Sequence, residues 1–373
     1  MTKYNDPTDR SSWTIGPFSA PTRILEARPD LWFDCPVSGA RVAWAAKDVF
    51  NAGAVVHGGR ICLLVRAEDT VGRYAGVSRL GLATSADGVN FELEPEPVLA
   101  PGDDRWQAWE WPGGIEDPRV VMAPDGTFVC TYTAFDGKVG CLFVATSPDL
   151  RTWTKHGPAF AGSPYARLAT KAGSIVTALR DDRLGAVKID GRYWMYWGEG
   201  SAYAATSDDL IRWTPLECDS GPDKYLTWDP DHQGPMGHWA LDRVTGSRGL
   251  RPLAGPRKHR FDSLLIEPGP PAVLTENGVV LIYNGANHFS DGDPSVPPFA
   301  YQPAQMLFDA RDPTALIARA SKPFLGISGE EAAGQVGNVL FAEGLVVFEG
   351  RWWLYLGLAD SRLGVATAPL DVK

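Results

Sequence analysis

The chain has 373 residues, 44% of them apolar and 21% charged, which excludes a disordered protein and supplies enough apolar side chains for a large core. A formal net charge of −10 with no offsetting Lys/Arg block argues against nucleic acid or an anionic membrane as partner and favours a neutral one. No stretch approaches the ~18 to 20 apolar residues that span a bilayer, and the start MTKYNDPTDRSSW lacks a signal-type apolar run, so a soluble, cytoplasmic protein is expected.

Residues 1 to about 45 read as an N-terminal extension packing on a face of the single domain that fills the rest of the chain, because no linker divides it. From there two short patterns recur. The first is a Gly-containing turn before an apolar, aromatic-rich strand: GGRICLLVR from Gly58, DGTFVCTYT from Asp125, DGRYWMYWG from Asp190, NGVVLIYNG from Asn277 and EGRWWLYLG from Glu349. The second is a strand ending in a turn: GLATSADGVNF from Gly81, VATSPDLRTW from Val144 and AATSDDLIRW from Ala204, with weaker relatives LFDARDP from Leu307 and GVATAPL from Gly364. Five copies of one hairpin-bearing unit predict an all-β fold, a five-bladed β-propeller, rather than a β-sandwich. Helix is confined to short pieces, one of them around Pro303 to Phe308.

A propeller gathers the starts of its inner strands at one end of the axis, so the site should draw polar residues from several units. GGIEDPR, Gly113 to Arg119, is the most unusual such entrance. Pro118 removes a ladder donor and places the Glu116 and Asp117 carboxylates at a strand start. An isolated EDPR also reads as a turn whose carboxylate pairs with Arg119. Further carboxylate-bearing entrances are RAED at Arg66 to Asp69, WGEG at Trp197 to Gly200, FDSLLIEPGPP at Phe261 to Pro271, and LAD at Leu358 to Asp360.

Together with NAGAVV from Asn51, VRAED from Val65, SRLGLATSADGVNF from Ser78, IEPGPPAVLTENGVVLIYNG from Ile266 and GQVGNVLF from Gly334, these segments resemble glycoside hydrolase family 130. That family comprises mannoside phosphorylases and β-1,2-mannosidases. The resemblance runs from about Asn51 to Thr367. It implies an inverting reaction at a terminal β-mannosyl residue, with Asp117 as general acid and with Asn51, Arg66, Asp69, Ser78, Arg79 and Asp360 around the sugar. Glu116, Arg119, Tyr203 and Asn284 complete the expected substrate contacts.

Phosphate and water are the family's two nucleophiles. Phosphorylases of the family carry a Lys before the GxGxPP stretch and a His in a YHG triplet, whereas here IEPGPP has Glu267 and YNG has Asn284. A carboxylate repels phosphate and activates water. The expectation is therefore hydrolysis of a β-mannoside, β-1,2-linked first, with Glu267 as general base and Glu199 as a second base or a water-orienting partner. Either glutamate also reads as a rim or structural carboxylate.

Phosphorolysis, yielding mannose 1-phosphate with inorganic phosphate as co-substrate, remains the alternative, for which Lys171, Arg180 and His238 supply cations. A non-catalytic sugar-binding propeller is the remoter one. Most of the 14 Trp belong to strands and core, with Trp109, Trp111 and Tyr203 as candidates for stacking on a sugar. The five cysteines, Cys35, Cys62, Cys130, Cys141 and Cys218, form no CxxC pair and read as buried thiols. The six histidines form no metal-binding pair, His238 and His288 reading as loop residues, so no metal or cofactor is expected. The oligomeric state is left open, a homo-oligomer included.

Overall fold

Each copy of the first pattern becomes the second strand of a four-stranded antiparallel sheet, and each copy of the second pattern the third strand. A computed structural model describes residues 13–71, 76–218 and 249–370, with the backbone of the paired strands Lys224–Trp228 and Trp239–Arg243. Blade 1 runs outward through Asp48–His57, Arg60–Glu68, Ser78–Ser85 and Glu92–Leu93. Blade 2 comprises Gly114–Met122, Phe128–Phe135, Gly140–Ser147 and Thr154–Pro158. Blade 3 comprises Ser174–Arg180, Arg192–Trp197, Tyr203–Ser207 and Thr214–Pro215.

In blade 4 the inner strand is split into Leu265–Pro268 and Ala272–Thr275, followed by Gly278–Ala286, Tyr301–Phe308 and Leu316–Arg319. Blade 5 has Leu340–Phe348, Arg351–Leu358 and Arg362–Pro369, and takes its outermost strand, Thr22–Leu25, from the other end of the chain. The fold is a five-bladed β-propeller whose ring is closed by pairing between the two chain ends.

The repeated Ser-x-Asp turns have one cause. Asp87, Asp149 and Asp209 each accept backbone N–H groups two and three residues on, while Ser85, Ser147 and Ser207 bond to those aspartates. Between blades, alternate strand residues interdigitate, as where Leu64, Leu80 and Leu82 meet Ile115, Tyr132 and Phe143.

Two expectations change. Pro303 to Phe308 is strand rather than helix: Ala, Gln, Met and Leu favour helix locally, but the segment is paired on both sides and buried, and pairing outweighs propensity. Four cysteines are buried thiols, while Cys218 is only half-buried. Among the described residues no helix is long and apolar enough to cross a membrane.

Candidate active site

All five inner strands begin at the same end of the axis, and their composition changes along their length. Polar residues stand at the starts; a few residues further on, Val55, Val56, Val120, Val121, Thr177, Leu184, Pro271, Leu345 and Val346 converge around a void of about 10 Å³. That volume holds at most one water, so the axis is too narrow at this level for a sugar.

Three inner strands slip register at one level, between Phe50 and Ala52, between Glu116 and Arg119, and between Ala342 and Gly344. The residues at these bulges are Asn51, Asp117 and Glu343. A bulge re-aims one side chain out of the alternation. Asn51 and Asp117 also hold left-handed φ values of 42° and 47°, strain that the surrounding sheets must sustain. Space for Asn51 comes from Gly357, where a Cβ would lie 2.0 Å from its Oδ1.

Asp117 is buried, and its Oδ1 accepts from Asn51 Nδ2 and Arg66 Nη1, both at 2.9 Å. Arg66 spends four of its five N–H groups here: it also donates to Ser78 Oγ at 3.0 Å and to Glu68 and Glu116, each at 2.8 Å. Burial pushes the Asp117 carboxyl up, but Arg66, Lys171, Arg119 and the Asn51 hydrogen bond outweigh it and hold the group well below the usual range. Glu116 goes the other way, to about 7, because burial and the charge of Asp117 prevail over Arg66. Burial, with Asp117 and Glu68, likewise lifts Asp360 to about 6 against Arg66 and Lys171.

Opposite Asp117, Glu267 is fully buried and neither carboxyl oxygen has a hydrogen-bond partner among the described residues. Arg119 and Lys171 stand 3.6 and 3.8 Å away. Burial, aided by Glu199 and Asp117, pushes Glu267 up to about 8 against the pull of those cations. The two candidate catalytic carboxyls are thus shifted in opposite senses, Asp117 toward its ionised form and Glu267 toward its protonated one.

Lys171 also lies 3.9 Å from Asp117 and 3.5 Å from Glu199. Its backbone accepts the Gly198 N–H, and Gly200 O accepts the Ile266 N–H, which sets Glu199 beside Glu267. Tyr301, at the head of its strand, is surrounded by Lys171, Glu267, Glu199 and Asp360; burial, more than those charges, raises its hydroxyl.

Other expected contacts are spent on the scaffold. Arg119 is buried and donates to the carbonyls of Asp117, Pro268 and Gly269, each at 3.0 Å, with Glu343 at 3.3 Å, so one guanidinium ties the Asp117 strand to the Glu267 strand. Asn284 gives both ends of its amide to the backbone of Ala342. Asp69 and Arg79 pair at 2.6 Å, Asp69 holding the Val71 and Val77 amides and Arg79 reaching Cys35 and the Phe33 ring. Tyr203 stacks on Trp197 at 4.9 Å.

Trp109 packs against Phe143 under Arg167, and Trp111 against the core between blades 5 and 1. Of the cations considered for phosphate, Lys171 is in the pocket, Arg180 is exposed at the far end of its strand, and His238 lies outside the described residues. Glu343 and Tyr301 are additions. Glu343 had a signal: NAGAVV, DPRVVM and EGLVVF each set a polar residue three or four positions ahead of a pair of valines.

A family model described as beta-1,4-mannooligosaccharide phosphorylase matches residues 25–231 and 239–372. A 1,2-beta-oligomannan phosphorylase of Thermoanaerobacter sp. (strain X514) is 29% identical over 343 residues, 88% of this chain and 93% of that protein. A solved glycosyl hydrolase from Bacteroides ovatus is 40% identical with a TM-score of 0.84, over 95% of this chain and 94% of that one. Another solved structure, from work on family 130 "glycoside hydrolases that target beta-1,2 mannosidic linkages in Candida mannan", is also 40% identical, with a TM-score of 0.85 over 95% and 94% of the two chains. With the family model spanning nearly the whole propeller and its carboxylate-lined axis, this chain belongs to glycoside hydrolase family 130, the enzymes that act on β-mannosides.

Proposed function

We propose that the chain hydrolyses terminal β-1,2-mannosidic linkages with inversion, Asp117 protonating the leaving oxygen and Glu267, helped by Glu199, activating water. The observation that carries this reading is the buried Glu267 with two unpartnered oxygens across the pocket from Asp117. Lys171 Nζ lies 3.9 Å from Asp117 Oδ2 and 3.8 Å from Glu267 Oε2, so those oxygens are at most about 8 Å apart, compatible with the ~6.5–9.5 Å that leaves room for a water. A water donating to Glu267 favours its ionised form, the form that a base requires.

Phosphorolysis is the second reading, favoured by the names of curated relatives, among them the Thermoanaerobacter 1,2-beta-oligomannan phosphorylase and a beta-1,2-mannobiose phosphorylase of the same strain. A phosphate dianion needs free positive charge. Lys171 already faces three carboxylates. Following products on β-1,2-mannobiose by NMR, with and without phosphate, decides between them. Hydrolysis gives α-mannose at the same rate in both buffers; mannose 1-phosphate formed only with phosphate establishes the second reading instead.

A further inference from the structure

With the axis too narrow for a sugar below the strand starts, a β-mannoside whose terminal ring sits among the carboxylates must carry the rest of its chain out over the rim. That rim includes the loops joining the second and third strands of each blade. In blade 4 this loop, residues 287–300, holds a stack of rings in water. Phe289 and Phe299 are 64% and 53% exposed. Their centroids are 5.9 Å apart with planes 28° from parallel, and His288 stacks on Phe289 at 4.4 Å.

The loop is built to hold them. Buried Asn287 donates to the carbonyls of Asp293, Val296 and Pro297 at 3.0, 2.8 and 3.3 Å, accepts the Asp293 N–H, and takes the Phe299 N–H on its own carbonyl. His288 Nδ1 accepts the Ser290 and Asp291 amides. Phe299 adopts φ 61°, a conformation costly for an aromatic residue. Exposed rings forgo the gain of burial, and a strained, rigid presentation of them calls for a ligand.

Position selects the ligand. Tyr301, which faces Lys171, Glu267 and Glu199, is two residues beyond Phe299, at most about 7 Å along the chain. We propose that Phe289 and Phe299 form a leaving-side subsite that stacks on the apolar C–H faces of sugars beyond the first one past the cleaved bond. Flat rings beside a sugar pocket suit pyranose faces. Two rings fall well short of the ~800 Å² per partner of a stable protein interface. This subsite rests on the mannoside-cleaving reading and extends it to chain length.

The test compares the full-length wild type with Phe289→Ala/Phe299→Ala, both surface changes, on β-1,2-mannobiose and β-1,2-mannotetraose. The double variant should lose about ten-fold in kcat/KM on the tetraose, roughly one stacking contact's worth, and stay within two-fold on the biose. Equal losses on both substrates, or none on either, overturn the subsite. A shift to a smaller species in size-exclusion chromatography also overturns it, by showing an interface between copies. If wild type cleaves neither sugar, the functional reading fails on its own. Calorimetric titration of the tetraose into the two proteins then still decides, equal affinity refuting the subsite.

Discussion

Raising the pH from 6 to 9 on a substrate that needs no proton donor isolates the ionisation of Glu267. On a natural mannoside the acid–base pair must hold one proton in total, so kcat/KM falls above about 8 whichever carboxyl is the acid. A 2,4-dinitrophenyl β-mannoside removes the need for Asp117 to be protonated. Activity then follows ionised Glu267, about a hundredth of the enzyme at pH 6 and about nine-tenths at pH 9, from a value of about 8. The predicted rise is therefore roughly 50- to 100-fold, levelling off above pH 9. Lys171 is held above its ordinary range by Glu199, Glu267 and Asp117 against burial, so it stays charged throughout. Asp117→Asn should abolish turnover of mannobiose and spare the dinitrophenyl substrate. A flat profile on the activated substrate refutes the assignment: the proton on Glu267 would then be the catalytic one and Asp117 the base.

Three further outcomes follow from the same contacts. Arg119→Lys keeps the charge but loses the fork to Asp117, Pro268 and Gly269, so kcat should drop about 100-fold, as for a misplacement of about 1 Å, with KM changed less than about three-fold. A rise in KM alone would make Arg119 a substrate contact. Asn284→Ala leaves the buried N–H and C=O of Ala342 unpaired, costing about 2–4 kcal/mol in chemical denaturation, while steady-state constants of the folded enzyme stay within two-fold. Glu267 binds its proton more tightly folded than unfolded, so its contribution to stability is full below about 4.5 and is lost as pH rises toward about 8. Glu267→Gln should therefore flatten the decline of Tm between pH 5 and 8, recovering on the order of 3–5 kcal/mol at pH 8; parallel Tm curves for variant and wild type would contradict it.

The propeller was legible because the second and third strands of every blade face the same physical demands. Both are packed on two sides and joined by turns that need Gly or a Ser-x-Asp cap, so their sequences converge, from GGRICLLVR to EGRWWLYLG. Outer strands such as Glu92–Leu93 and Thr214–Pro215 are too short to leave a pattern. Inner strands differ because each carries its own part of the chemistry. Asp117 stood out through the proline after it, whereas Glu343 looked like one charge in an apolar run until its bulge aligned with those of Asn51 and Asp117. Lys171 and Arg180 looked equivalent as cations, yet Lys171 precedes the inner strand Ser174–Arg180 and Arg180 ends it. Asn284 drew attention by replacing a histidine, but its amide clamps blade 4 to blade 5.

The division between water and phosphate comes down to how much of the charge on Lys171 is free. A further negative charge about 4 Å from an ionised carboxylate meets roughly 4 kcal/mol of repulsion at an effective dielectric of 20. Arg66 gives little relief, since four of its five N–H groups go to Ser78, Glu68, Glu116 and Asp117, and Arg119 is turned inward to three carbonyls. An incoming dianion would have to break one of these pairings before gaining any cation, and the carboxylate released would stay beside it. Water brings no charge, and the Glu267 carboxyl, which makes no hydrogen bond among the described residues, is left to accept one from it once ionised. The same desolvation that lifts Glu267 to about 8 makes it a stronger base once it ionises, so the instability stored at that position and its fitness to activate water share one physical origin.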